Sequence, residues 1–215
     1  NSGFGAAIKN IAMGCVARSS RGDIHRVQGE EFHWDSDKCS HCRACLENCP
    51  APGTLSFNDK DELNWFPHHC RYCRHCDISC PESAIRIETE GIRYFQQAMA
   101  LVTREVLNCF EPNRVLFINV MMNITPFCDC WGFSTPSLVP DIGILAATDI
   151  VAIEQASLDL VHNEDFIPSS LPESMKLNEG GHLFERIHGK DPYLQVECAE
   201  EIGLGTRSYQ LNEID

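Results

Sequence analysis

The chain has 215 residues, a formal net charge of −14 and 13 cysteines. That charge disfavours nucleic acid or an anionic membrane surface as the main partner, and no apolar run is long enough to span a bilayer. The length allows one small module beside one further domain; with no secretory signal and 13 cysteines in the chain, a reducing, anaerobic cytoplasm is expected.

At the N-terminus, Ser2-Gly3-Phe4-Gly5 leads into a helix-forming run from Ala6 to Gly14. The free N–H groups of such a start can hold an anion, with Lys9 nearby; an ordinary capped helix is the plainer reading. The chain opens at Asn1 with no initiator Met, so a processed or further N-terminal part is expected.

The strongest signal follows. Cys39, Cys42, Cys45 and Cys49, then Pro50, recur 31 residues later as Cys70, Cys73, Cys76 and Cys80, then Pro81. Each run reads C-x2-C-x2-C-x3-C-P, the thiolate spacing of bacterial-type two-cluster ferredoxins, in which the fourth cysteine serves the other cluster. The expected ligand sets are therefore Cys39, Cys42, Cys45 with Cys80, and Cys70, Cys73, Cys76 with Cys49, holding two [4Fe–4S] clusters. Disulfide scaffolds belong to shorter secreted chains, and zinc favours separated C-x2-C pairs, so both fit the spacing less well.

The repeat reaches past the cysteines. Phe32-His33-Trp34 stands before the first run as Leu63-Asn64-Trp65 does before the second, and each Cys-Pro is followed by an apolar alternation, Leu55-Ser56-Phe57 and Ile85-Arg86-Ile87. Period-2 alternation between turn signals predicts strands. Each half then reads as strand, cluster loop, helical turn and strand, with Asn58 to Glu62 as the turn between halves. A ferredoxin-like module is expected over 30–90. Arg43 and Arg74 stand after the second cysteine of each run, where glycine is common. Two readings are open: guanidinium groups that raise cluster potentials, or exposed side chains paired with Glu47 and Asp77. His68 and His69 beside Cys70 are read as surface residues, with a hydrogen bond to a cluster sulfur as the alternative.

Beyond the module the pattern is α/β. Residues 92–110 repeat apolar side chains at three and four and predict an amphipathic helix, with Cys109 on its inner side as a small buried hydrophobe. Arg114 to Met121 is nearly continuous in apolar and β-branched residues and predicts a buried strand; Ile142 to Ala147 predicts a second. Asp149 is placed to N-cap a helix over 150–162 that turns Ile153, Ala156, Leu160 and Val161 inward. A last helix is expected over about 192–202, stopped at Gly203. Two strands make no stable sheet alone, so further strands are expected from another chain or from a preceding region.

Five cysteines lie outside the two runs: Cys15, Cys109, Cys128, Cys130 and Cys198. Cys128-Asp129-Cys130 follows the first α/β strand and places two thiols and a carboxylate together. Either it builds a further metal or redox site, joined by a histidine such as His25, His182 or His188, or it is a structural loop with reduced thiols.

Taken together, GFGAAIKNIAMGC, the two cysteine motifs, ITPFCDCWG, VPDIGILAATDIVAIEQASLDLV and the closing DPYLQ and AEEIGLG resemble the iron–sulfur centre proteins of domain-of-unknown-function family 362 over nearly the whole chain. The resemblance implies an α/β core (1–29 and 91–215) interrupted by the inserted two-cluster ferredoxin module. It also implies α/β chain ahead of the Gly-Phe-Gly segment, and it brings no settled reaction. Two functions follow. The first is an electron carrier whose two clusters relay single electrons to or from a partner oxidoreductase, docked through a basic surface suited to this acidic chain. The second is a redox enzyme or metallocentre-handling protein whose clusters feed a site near Cys128, Asp129 and Cys130. Whether the chain is itself an enzyme, and whether it forms homo- or hetero-oligomers, is open between them.

Overall fold

A computed structural model describes residues 2–214 apart from 28–31, 67–69, 71, 89–90, 129–134, 174 and 176. In chain order the elements are α1 (Ala7–Gly14), α2 (Arg18–Arg26), β1 (Phe32–Trp34), α3 (Ala44–Glu47), β2 (Leu55–Phe57), β3 (Leu63–Trp65), α4 (His75–Ile78), β4 (Ile85–Ile87), α5 (Gly91–Leu107), β5 (Phe117–Met121), β6 (Gly143–Ala147), α6 (Ile150–Asp159), α7 (Leu183–His188) and α8 (Tyr193–Glu201). The fold is mixed α/β, as the sequence pattern implies.

Two hydrophobic clusters divide the interior. The larger is built around α5, which packs on α1 and α8 through Phe95, Met99 and Ala100, and meets Ile8, Ala12, Val196 and Ala199. Polar groups fasten the N-terminal strip to this helix: Gln96 Nε2 donates to the Ser2 carbonyl at 2.6 Å and Thr103 Oγ1 to the Ile8 carbonyl at 3.3 Å. Asp149 caps α6 as expected, its Oδ1 accepting from the Val151 and Ala152 amides at 2.8 and 3.0 Å. α8 is followed by Gly203 at φ +75°.

The smaller cluster consists of Cys45, Leu55, Cys76, Ile85 and Ile87, with Phe32, Trp34, Phe57 and Trp65 packed around it. Its four short strands form two antiparallel pairs. β1 pairs with β4 (Phe32 opposite Ile87), and β2 pairs with β3 (Leu55 opposite Trp65). The first strand of each half thus pairs with the last strand of the other, the closure expected of a duplicated unit. Asn58 makes the turn between the halves, its Oδ1 accepting from the amides of Lys60 and Glu62 at 2.9 Å each.

Several expectations for the α/β part need correction. α5 ends at Leu107, and Cys109 and Phe110 lie beyond it as exposed residues. Arg104 and Glu105 make its last turn polar and Asn108 follows it, so the apolar period fades before Cys109 and nothing draws that thiol inward. The first α/β strand is shorter than Arg114 to Met121 and is buried on one face only. β5 pairs with β6 in antiparallel register, Phe117 opposite Ala147, and α6 packs against both strands. The other face is bare: Ile118, Val120 and Ile144 are 57, 59 and 65 % exposed. The apolar continuity of these strands suits a sheet covered on both faces, but among the described residues only one face is covered. α6 also stops at Asp159, although Val161 beyond it is buried.

Candidate metal centre

Each cysteine run folds as a loop wound in a backbone conformation rare for L-residues. His41 and Arg43 in the first loop, and Tyr72 and Arg74 in the second, have φ of 55, 63, 50 and 64°. These are equivalent positions of the repeat, and each costs a non-glycine residue conformational energy. Such left-handed turns aim successive backbone N–H groups at one centre, the anion-holding concavity found at many iron–sulfur sites. The strain explains why glycine suits these positions.

The thiols gather accordingly. Cys49, from the end of the first run, joins Cys70, Cys73 and Cys76 around one small cavity that Phe32, Leu55, Trp65 and Ile87 complete. Cys45 lies near Cys39 and Cys42. Cys80 follows α4, its Sγ accepting from the Ala84 amide at 3.2 Å. Burial is the first cause of the thiols' acidities, and neighbouring thiols add to it while backbone hydrogen bonds oppose it. Burial pushes the Cys45 and Cys73 thiols up to about 11 and Cys76 higher still. Buried thiols packed together this way are poor anions unless a cationic centre binds them.

Unmatched donors surround the same thiols. Trp65 Nε1 and Thr54 Oγ1 are buried with no protein partner among the described residues, and both residues line the cavity of the second set. Trp34, the repeat equivalent of Trp65, has its Nε1 in the same condition. Acceptor sulfurs of a bound cluster are suited to such donors. Among the described residues no three His, Cys, Asp or Glu side chains converge tightly enough for a single metal ion. Four thiolates around a cubane stand farther apart than four around one ion.

Arg74 answers one open reading. Its Nε and Nη2 donate to Asp77 Oδ2 at 3.0 and 2.9 Å, while the residue still lines the cavity of the second set. Arg43 is exposed. His68 and His69 lie outside the described residues, as do Asp129 and Cys130 of the expected further site.

The second loop is joined to the larger core. His75, 1 % exposed, has Nε2 2.7 Å from the Ile187 carbonyl at the end of α7. Gly189, at φ +64°, lies so close that a Cβ would come within 3.3 Å of the Cys73 carbonyl. Next to this seam runs a cleft of about 820 Å³ along β5, lined by Lys9, Asn10, Thr125, Cys128 and His188 among others. His188 is buried, packs edge-on against Phe127 at 5.9 Å, and is pushed down to about 3 by burial and then by the Lys190 charge. Of the three histidines expected near Cys128, only His188 lines the cleft. His25 lies against Phe95, ring centroids 5.3 Å apart, and His182 caps α7, its Nδ1 accepting from the Phe184 amide at 3.1 Å.

The start of α1 is not free to take an external anion. Glu154 of α6, fully buried, accepts from the Ala7 amide at 2.5 Å and from Gln195 Nε2 at 2.9 Å. Sequence reasoning missed Glu154; its neighbours Ile153 and Ala156 on the inner face of α6 are the only hint of its position.

Fold and site together define a mixed α/β protein with a duplicated cysteine-loop unit docked against its core. The chain belongs to the family described as Domain of unknown function (DUF362), whose model matches residues 1–159. No curated protein matches it. No helix among the described residues is long and apolar enough to cross a membrane.

Proposed function

We propose that this is an iron–sulfur electron-transfer protein whose eight repeat cysteines hold two [4Fe–4S] clusters in crossed sets, within a ferredoxin-like module over 30–90. The observation that carries the reading is the grouping of Cys49 with Cys70, Cys73 and Cys76, the partner exchange that the C-x3-C-P step requires. By the symmetry of the repeat, Cys80 completes the set of Cys39, Cys42 and Cys45. When bound, the clusters supply reversible one-electron storage. The chain's own residues do the rest: left-handed turns present backbone N–H groups, Trp34, Trp65 and Thr54 supply buried donors, and Phe32, Leu55 and Ile87 exclude water. The exposed first loop is the natural contact for a partner oxidoreductase, a basic one given the net charge of −14. A reducing cytoplasm suits thiols of this number.

One observation favours a second reading, that the electrons serve chemistry in the cleft. Lys9, Asn10 and Cys128 line it together, and His188 connects it to the seam behind the second loop. The test is iron and sulfide content, measured anaerobically on the wild type and on a Cys128→Ser/Cys130→Ser variant, with a reductive titration of each. About eight irons per chain in both, with unchanged titrations, are expected of a plain carrier. A loss of iron or of reducing equivalents in the variant alone would establish a further site. Zinc in place of iron in the wild type would overturn both readings.

A further inference from the structure

The repeat makes the two cysteine loops alike, but their surroundings differ. Cys42 and Arg43 of the first loop are exposed, and Lys38 nearby has a side chain 62 % exposed. In the second loop Cys73 and Cys76 are buried, beneath the turn that follows α7. That turn contributes Lys190, a lysine only 2 % exposed, with Nζ 6.0 Å from the Tyr72 ring centroid. Its charge acts on the Cys73 thiol against the effect of burial. Its stem is held by Gly3, where φ is +80° and a Cβ would come within 3.1 Å of the Lys190 Cβ.

Burial alone disfavours reduction, because the reduced site carries one more negative charge into a region of low dielectric. A fixed ammonium enclosed in the same region opposes that penalty, and more strongly than a solvated lysine would. Among the described residues no lysine or arginine of the first loop is enclosed in this way. We propose that Lys190 is a positioning charge that raises the reduction potential of the inner cluster, held by Cys49, Cys70, Cys73 and Cys76, above that of the outer one. An electron received at the exposed loop then comes to rest on the side that faces the core and its cleft.

The inference rests on the two-cluster reading, and its test separates the two. Wild type, Lys190→Met, Lys190→Gln and Lys190→Arg are purified anaerobically, their iron is counted, and each is titrated with paramagnetic resonance as the readout. A Cys42→Ser variant marks which signal belongs to the outer cluster. The inner signal is expected to appear first in the wild type. In Lys190→Met and Lys190→Gln its midpoint falls while the outer midpoint stays, and Lys190→Arg restores it. Full iron with unmoved midpoints in the Met and Gln variants overturns the role of Lys190, as does an equal shift of both signals or an outer signal that appears first in the wild type. A wild type that holds no clusters overturns the reading beneath it.

Discussion

Glu154 offers a quantitative test of how the core is held together. Its carboxyl is fully buried and joins α6 to the start of α1 and to Gln195 of α8. Burial raises its pKa from an ordinary 4.5 to about 7, against the hydrogen bonds it accepts. A raised acid favours folding while protonated, so its contribution is complete below about pH 4.5 and is lost as pH rises through about 7. The whole interval corresponds to about 3 kcal/mol, of which about 1.4 kcal/mol falls between pH 6 and 8.5. Glu154→Gln keeps the shape and removes the titration. The new amide also finds an acceptor, because Gln195 Oε1 is buried with no partner among the described residues. Anaerobic melting of both proteins at the two pH values isolates this group, since other titrations cancel in the difference. The variant should gain about 1.4 kcal/mol over the wild type from pH 6 to pH 8.5, or about 3–6 °C in Tm. A difference that does not change with pH would refute the assignment of a titrating, buried Glu154.

Other substitutions probe other parts of the fold. Trp65→Phe removes a buried N–H beside the inner thiols and should lower the inner midpoint without loss of iron, with Trp34→Phe doing the same to the outer one; paramagnetic titration reads both. Chelation of iron should expose 32–87 to hydrogen exchange before the α1–α5–α8 core, because the smaller cluster counts two cysteines among its five buried members and metals stabilise such thin cores. His75→Ala breaks the link to Ile187 and should cost about 1–3 kcal/mol, with faster exchange confined to the 72–76 and 187–190 seam. Val120→Lys places a charge on the bare face of β5; if that face is covered in solution by a second chain, sedimentation will show dissociation, and a folded protein of unchanged mass would exclude such a cover.

The sequence made the cysteine module legible because spacing, proline and strand alternation all repeat at the same interval, and each of the four short strands appears where the pattern puts it. The left-handed turns were legible only in part. Arg43 and Arg74 drew attention as replacements for glycine, while His41 and Tyr72 share the same strained backbone with no glycine pattern to mark them. Helix boundaries set by a single residue, the Asp149 side-chain cap and the left-handed backbone of Gly203, were readable because their signal is local. Contacts between distant segments were not. Glu154 beside Ala7, His75 beside Ile187 and Lys190 over Tyr72 join residues more than a hundred positions apart, and nothing local in composition records them. The buried strand expected over Arg114 to Met121 failed for a related reason. Apolar continuity reports the environment a strand is suited to, and it does not say which segment supplies the cover.

The crossed ligand sets are tested most directly by single serine substitutions at the two exchanged cysteines. Cys49→Ser and Cys80→Ser are purified anaerobically, and the paramagnetic signals of the reduced proteins are compared with those of Cys73→Ser and Cys42→Ser. Crossed ligation requires Cys49→Ser to alter the same signal as Cys73→Ser, and Cys80→Ser the same signal as Cys42→Ser. If Cys49→Ser instead alters the Cys42 signal, each loop keeps its own fourth cysteine and the ligand sets are not crossed.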